Sequence, residues 1–415
     1  MLTSEEQGLV AAVEDLARTK FAERAAEVDR EGRFPAENVR DLQALNVPGM
    51  GMPREYGGGG MGPEARARVV EAVAYSCGST AVALNMHFFA ADTLLLNPRP
   101  NEAALAVNRA IASSEALMCA PGSIATSGLD TRTGGYRATD DGDALIINGK
   151  AGFASMSEGA TYAFISGVVD RGPDNPVDLF FATPRMDTPG IKNLRNWDAM
   201  GLRGTASHDI EIEALRLPRT QALVVPTSFF ETLNQVSASL PPAVRQGRVA
   251  GTLGIFAIWL GLSRAALDFS RDYVEKRYGA LPVQAAADPA AAGLRADDAW
   301  AQIAIGRMTH WVESGRTLLY DFAGRLSEPY ASPEDFNRAL GVLLFHLRRM
   351  CEEVAMDAMK VCGAHAYVRN RPLERIHRDL VGCIAMAWKT DSVAQQLGLA
   401  TLGRPFTIGG PIATA

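Results

Sequence analysis

Nowhere does this 415-residue chain offer an uninterrupted apolar run of the roughly 18–20 residues that a membrane-spanning helix needs. Its opening, MLTSEEQGLV, is acidic and lacks the basic start and apolar stretch of a secretion signal, so a cytoplasmic location without membrane attachment is expected. Cysteine is scarce and dispersed: Cys77, Cys119, Cys351, Cys362 and Cys383, with no CxxC spacing. That argues against a disulfide framework and a zinc site, and for buried thiols that behave as small apolar groups. Positive charge is in deficit, with 41 Lys and Arg against 47 Asp and Glu, which argues against a nucleic-acid surface. The strand–GxGxxG–helix signature of a dinucleotide fold is missing too. Any reducing equivalents must then come from the substrate or from another protein.

What is present divides into three stretches, expected as domains 1–115, 116–226 and 227–415. The first reads as helices, with Thr3 and Ser4 as candidate caps, Glu5 and Glu6 in the first turn, and apolar residues at Leu9, Val10, Val13 and Leu16. Four adjacent glycines, Gly57 to Gly60, break it. The second carries short strands such as ALIING, YAFISGVVD and DLFFATP, with Asp141-Gly142 placed as a hairpin turn. These read as a small β-barrel or sandwich. The third is helical again around 247–277, 296–326 and 332–363, interrupted by a loop at 285–293.

Five blocks in this order carry a resemblance: MPREYGGGGMG (52–62), INGKAGFASMSEGA (147–160), WDAMGLRGTASHDIEI (197–212), GLSRAALDFSRDYVEKRYG (261–279) and VCGAHAYVRNRPLERIHRDL (361–380). The chain resembles the acyl-CoA dehydrogenase superfamily over essentially its whole length. The resemblance implies an α+β fold with an N-terminal helical domain, a central β-barrel and a C-terminal four-helix bundle. It implies FAD between barrel and bundle, or FMN if the chain is half of a two-component monooxygenase. It also implies a homotetramer or dimer in which subunits complete each other's flavin sites.

Residue by residue, Phe153 and Ser155 match positions against the flavin. Two residues apart on a strand, they are expected to face the same side, with the hydroxyl bonding the ring near N5 or O4. Gly122, Ser123, Thr126 and Ser127 match the segment that contacts FAD and the substrate mouth. Arg277 resembles the arginine that meets the pyrophosphate of the neighbour's FAD, for which a guanidinium fork is well shaped. Gly363 matches a glycine-rich turn beside it.

One expected group is missing. Dehydrogenases of this family remove an α-proton with a Glu, found either nine residues after the Arg-Asp pair or at the start of the helix before GLSRAALD. Here those registers hold Ala387 and about Gly251. Asp391, a turn further on, is the candidate displaced base. The flavin-dependent monooxygenase branch needs no such base, only an apolar pocket and a donor for oxygen atoms. His87, flanked by Met86, Phe88 and Phe89, is the candidate donor. His208 reads as a brace for its strand, and Arg195, Arg203, Arg245 and Arg248 could hold the phosphates of a thioester carrier. The leading expectation is an oxygen-using flavin enzyme on a small organic or thioester substrate, served by a flavin reductase or an electron-transfer flavoprotein. A dehydrogenase with a displaced base and a non-catalytic flavin- or thioester-binding protein are the alternatives.

Overall fold

The computed structural model describes residues 2–95, 97, 100–124, 135–170, 178–228, 242–277, 286–287, 293–326, 330, 332–386 and 388–406. Helix α1 (Ser4–Leu16) starts in a reciprocal cap: Thr3 Oγ1 accepts the Glu6 N–H at 3.2 Å while the Glu6 carboxylate accepts the Thr3 N–H at 2.8 Å. A π-helical turn, Ala17–Phe21, carries it into α2 (Ala22–Glu31). Three more helices complete the first region after α3 (Ala36–Ala44): α4 (Pro63–Ser76), α5 (Gly78–Leu94) and α6 (Glu102–Ala112). α5 is buried almost all round, so it has no polar stripe and serves as an inner wall of the molecule.

The strands come next. β1 (Met118–Cys119) pairs in parallel with β5 (Tyr162–Ala163). An eight-stranded sheet holds β2 (Ser123–Ile124), β3 (Gly135–Asp140), β4 (Ala144–Ala154), β6 (Ile165–Asp170), β7 (Asp178–Ala182), β8 (Ile191–Asn193), β9 (His208–Pro218) and β10 (Ala222–Pro226). Its order is β10-β7-β6-β3-β4-β9-β8, with β2 also on β4. The end strands β10 and β8 do not pair with each other among the described residues. The expected hairpin joins β3 to β4: Gly142 sits at φ +85°, which a side chain would resist, and the Asp140 carboxylate accepts its N–H at 3.1 Å. Alternate residues Tyr136, Ala138, Leu145, Ile147, Phe180 and Ile210 form the buried face.

Helices α7 (Pro242–Lys276), α8 (Ala299–Arg325), α9 (Pro333–Cys362) and α10 (Pro372–Ala385) pack as a bundle, with α11 (Thr390–Thr401) against α9. The stretch Gly251–Lys276 is apolar and long enough to cross a membrane by composition, yet 67% of that window is buried inside the molecule. It behaves as the core helix, packed on α4, α5, α8, α9 and α10.

The Arg-Asp pair of α10 ties the three regions together. The Arg378 guanidinium grips both carboxylate oxygens of Asp29 on α2 at 2.9 and 2.6 Å, and donates to the Met200 carbonyl at 2.7 Å. Asp379 is buried and accepts the Leu202 N–H at 2.6 Å. Burial pushes its carboxyl up to about 6, against the nearby Arg375 and the Leu202 N–H, which favour ionisation.

Candidate active site

β4 changes character at its end. A register shift lies between Ala151 and Ala154 where β4 meets β9, and Phe153 takes a left-handed φ of +57°. This overturns the expected alternation. Phe153 is 45% exposed, whereas Ser155 is buried, so ring and hydroxyl do not share one strand face. The bulge turns the ring outward and the hydroxyl inward. Phe153 meets Trp197 edge-on at 5.7 Å, so Trp197 adds an aromatic surface that its place in the WDAMGLRG block does not announce.

Ser155 begins a chain of hydroxyls. Its Oγ lies 2.7 Å from Ser207 Oγ, which lies 2.6 Å from Thr205 Oγ1. All three residues are buried. Each hydroxyl both donates and accepts, so the direction of the chain can reverse to suit a partner at the Ser155 end. Thr205 and Ser207 stand in the GLRGTASH block, but nothing in their spacing distinguishes a relay from two ordinary strand hydroxyls. The neighbouring His208 is the brace the sequence suggests: Nδ1 accepts the Trp197 N–H at 2.9 Å and Nε2–H donates to Glu158 at 2.9 Å.

Strain concentrates here. Of the nine non-glycine residues with left-handed φ among those described, five lie at this end of the sheet: Phe153, Met156, Arg195, Leu202 and Ala206. Such conformations cost of order 1–3 kcal/mol each and cluster where geometry serves function. The Met156 N–H holds the two segments together by donating to the Thr205 carbonyl at 2.9 Å.

His87 is not the free donor expected of it. The ring is fully buried; its Nε2–H donates to the Pro48 carbonyl at 3.1 Å, and its Nδ1 accepts the Met118 N–H at 3.0 Å. Both nitrogens are used by backbone, and burial lowers its pKa to about 4. It fastens α5 to the start of β1 and to the loop after α3.

Neither base register offers a carboxylate in place. A side chain on Gly251 would meet Phe89 at 2.7 Å, and Asn85 donates to the Gly251 carbonyl at 3.0 Å, so α5 and α7 are in contact there. Ala387 lies outside the described residues. Asp391 is exposed in the first turn of α11, an ordinary place for an acid at the positive end of a helix. The end of α10 before it is fixed from below. The buried Arg348 of α9 donates to the carbonyls of Cys383 at 3.0 Å, Ile384 at 2.6 Å and Met386 at 3.1 Å. Trp388 lies just beyond with φ +62°, its ring 6.1 Å from Phe256.

A second cluster lies on the bundle. Arg277, just past α7, points Nη1 at His365 Nε2, 3.2 Å away, and His365 Nδ1 lies 3.2 Å from the Tyr273 hydroxyl. Gly363 (φ +56°) opens the turn Gly363–Ala366 that carries His365. Phe269, Asp272, Tyr273, Arg277, His365 and Arg371 line a cleft of about 410 Å³. The structure thus links Arg277 to the turn that Gly363 opens, through His365, and none of the residues lining this cleft is Phe153 or Ser155. Gly122 is exposed, and the Ser123 backbone pairs with Gly152. Thr126 and Ser127 lie outside the described residues, as do the side chains of Arg245 and Arg248. Arg203 is spent on the Asp29 and Ala199 carbonyls and on Asp198, and exposed Arg195 lies 4.0 Å from Glu158.

Two family models match this chain: the acyl-CoA dehydrogenase N-terminal domain over residues 3–98 and the acyl-CoA dehydrogenase C-terminal domain over residues 253–385. The short-chain specific acyl-CoA dehydrogenase of Homo sapiens is 25% identical over 379 residues, spanning 90% of this chain and 84% of its own. The 3-sulfinopropanoyl-CoA desulfinase of Variovorax paradoxus is 26% identical over 412 residues, 96% of both. A Paenibacillus dibenzothiophene monooxygenase, solved with FMN and indole, superposes with a TM-score of 0.83 over 98% of this chain and 100% of that one. At 18% identity that likeness is one of fold.

Proposed function

This chain belongs to the acyl-CoA dehydrogenase superfamily, and on that premise we propose that it is an FAD-dependent, oxygen-using oxidoreductase, a monooxygenase or oxidase of a small organic or thioester-tethered substrate. One observation carries the reading: the space at Gly251 is filled by Phe89, so that register holds no base; Asp391, exposed at a helix start, does not replace it. With alanine in the other register, α-proton abstraction has no positioned base. Chemistry that needs no such base fits these residues better.

The residues present suit a flavin dinucleotide. Phe153 and Trp197 offer an exposed aromatic edge for a ring system, and Ser155 presents a hydroxyl backed by Ser207 and Thr205. When bound, flavin supplies the two-electron chemistry and the reaction with oxygen. Ser155 would donate to the ring's polar edge and, through Ser207, shift its hydrogen as charge there changes. Arg277 and Arg371 of the cleft suit a diphosphate, which favours FAD over FMN. Arg277 and Gly363 are exposed, so the cleft is placed to complete the flavin site of a second copy in a homo-oligomer. Electrons would come from a flavin reductase or an electron-transfer flavoprotein.

A second reading rests on the near full-length match to the Variovorax 3-sulfinopropanoyl-CoA desulfinase: desulfination of a sulfinated acyl-CoA thioester. Anaerobic reduction of the flavoprotein, followed by mixing with air in a stopped-flow spectrometer, separates the cases. Fast reoxidation through a distinct absorbing transient is the expected result. Bleaching of the flavin by acyl-CoA thioesters, with slow featureless reoxidation, would overturn it in favour of a dehydrogenase. Turnover of a sulfinated thioester without flavin bleaching would select the second reading.

A further inference from the structure

In the cleft on the bundle, the imidazole of His365 stands between a cation and a phenol. An arginine only donates, so Nε2, 3.2 Å from Arg277 Nη1, must accept with its lone pair. Nδ1 then carries the hydrogen and gives it to the Tyr273 oxygen at 3.2 Å. His365 is therefore held as one neutral tautomer by the arginine it orients. The Arg277 guanidinium also lies 5.6 Å above the Tyr273 ring, and its described partners are uncharged.

The surroundings are cationic. Helix α7 contributes Asp272, Tyr273 and Lys276, with Arg277 just past its end; the short turn Arg295–Asp297 contributes Arg295; the segment after Gly363–Ala366 contributes Arg371. Asp272 is engaged by Arg271 at 3.1 Å and Lys276 at 3.6 Å, so its charge is already shared. Partial burial together with Arg277, Arg371 and Arg295 keeps His365 below its ordinary pKa.

We infer that His365 is a proton-coupled positioning residue for phosphate binding: neutral, it holds Arg277 aimed across the cleft, and protonated, it becomes an additional donor to the bound anion. This rests on the reading that the cleft receives the diphosphate of a flavin dinucleotide. A phosphate oxygen replacing the imidazole lone pair as Arg277's acceptor frees Nε2 to take a proton from solvent. The new imidazolium N–H then points at the same anion. Binding and protonation reinforce each other, so the affinity for the anion rises as pH falls, and binding takes up a proton. A ligand that raises the imidazole pKa by one unit gains about tenfold in affinity across the titration.

Flavin-stripped full-length protein titrated calorimetrically with FAD between pH 5.5 and 8.5, in buffers of different ionisation enthalpy, tests this. The native chain is expected to bind about tenfold more tightly at the acid end, with net proton uptake. His365→Gln keeps an oxygen to accept from Arg277 but cannot titrate. It should match the native affinity at pH 8.5 within about twofold and lose the slope. His365→Asn serves if the glutamine variant is unstable. NMR of the histidine ring protons with inorganic pyrophosphate should show one imidazole titrating higher when the anion is present. An equal pH slope in native and glutamine proteins, with Arg277→Gln weakened throughout, would overturn the role of His365 and leave the flavin reading standing. Undiminished binding by Arg277→Gln would remove the diphosphate from this cleft and overturn both.

Discussion

Ser155 and Asp379 illustrate how much a single side chain's environment decides. Ser155→Ala deletes one end of a three-hydroxyl chain but leaves Ser207 its bond to Thr205, so the folding cost should be about 1 kcal/mol. Its effect on the flavin should be far larger, read as altered reduction and reoxidation rates in stopped-flow; unchanged rates would remove Ser155 from the site. Asp379 and His87 respond to acid in opposite senses. The folded-state pKa of Asp379, about 6, lies above its ordinary 3.8, so the stability tied to its proton is complete below about pH 4 and lost as pH rises to about 6. His87, lowered to about 4 from 6.5, contributes stability above about pH 6.5 that is lost as pH falls toward 4. Asp379→Asn keeps an oxygen for the Leu202 N–H and removes the titration. Denaturation curves between pH 4 and 7 should show the native chain losing up to ~3 kcal/mol relative to that variant as pH rises. Parallel curves would show that the carboxyl ionises freely.

At the scale of elements, Arg348 stops α10 and shapes the turn beyond it. Its guanidinium has no carboxylate partner among the described residues and is balanced by three carbonyls at the negative end of a helix. Arg348→Met should cost about 3 kcal/mol and loosen the 383–386 segment, visible as faster amide exchange there than in α9. Protection equal to the native chain would show that packing alone fixes the loop. Helices of this kind are legible in the sequence because their signals are local. The Thr3 cap, the Asp141-Gly142 turn and the long amphipathic runs of α7, α8 and α9 all fall where pattern places them. The site is legible only in part. Arg277 reaches His365 in the turn that Gly363 opens, a meeting no local pattern announces; Phe153 and Ser155 do not share a face, because a bulge breaks strand alternation. His87 reads as a donor because its flanks are apolar. That both its nitrogens are claimed by Pro48 and Met118 depends on backbone brought from distant parts of the chain.

For the whole molecule, what counts is where the regions meet and what an assembly would add. Arg378 joins α2, the Met200 turn and α10 at one point, so the segment before β9 is tied to the bundle and to the first helical region. The cationic cleft, by contrast, faces outward, and on the proposed reading it holds the diphosphate of a second copy's flavin. Arg277→Ala should therefore lower FAD occupancy in purified protein by about tenfold or more while leaving the fold intact, as read from the ratio of visible to ultraviolet absorbance and from circular dichroism. Full occupancy would make this arginine a surface charge. The contact of Phe89 with Gly251 reaches beyond the present chemistry. A side chain at position 251 would press on the Phe89 ring at 2.7 Å, on its Cβ at 2.9 Å and on its backbone Cα at 3.1 Å, so the conflict is with the facing helix itself. Trimming the residue at 89 would relieve the ring contact alone, so an acid at 251 also needs the two helices to move apart. The close fit of two helices thus sets which side chains a single replacement can place at this position.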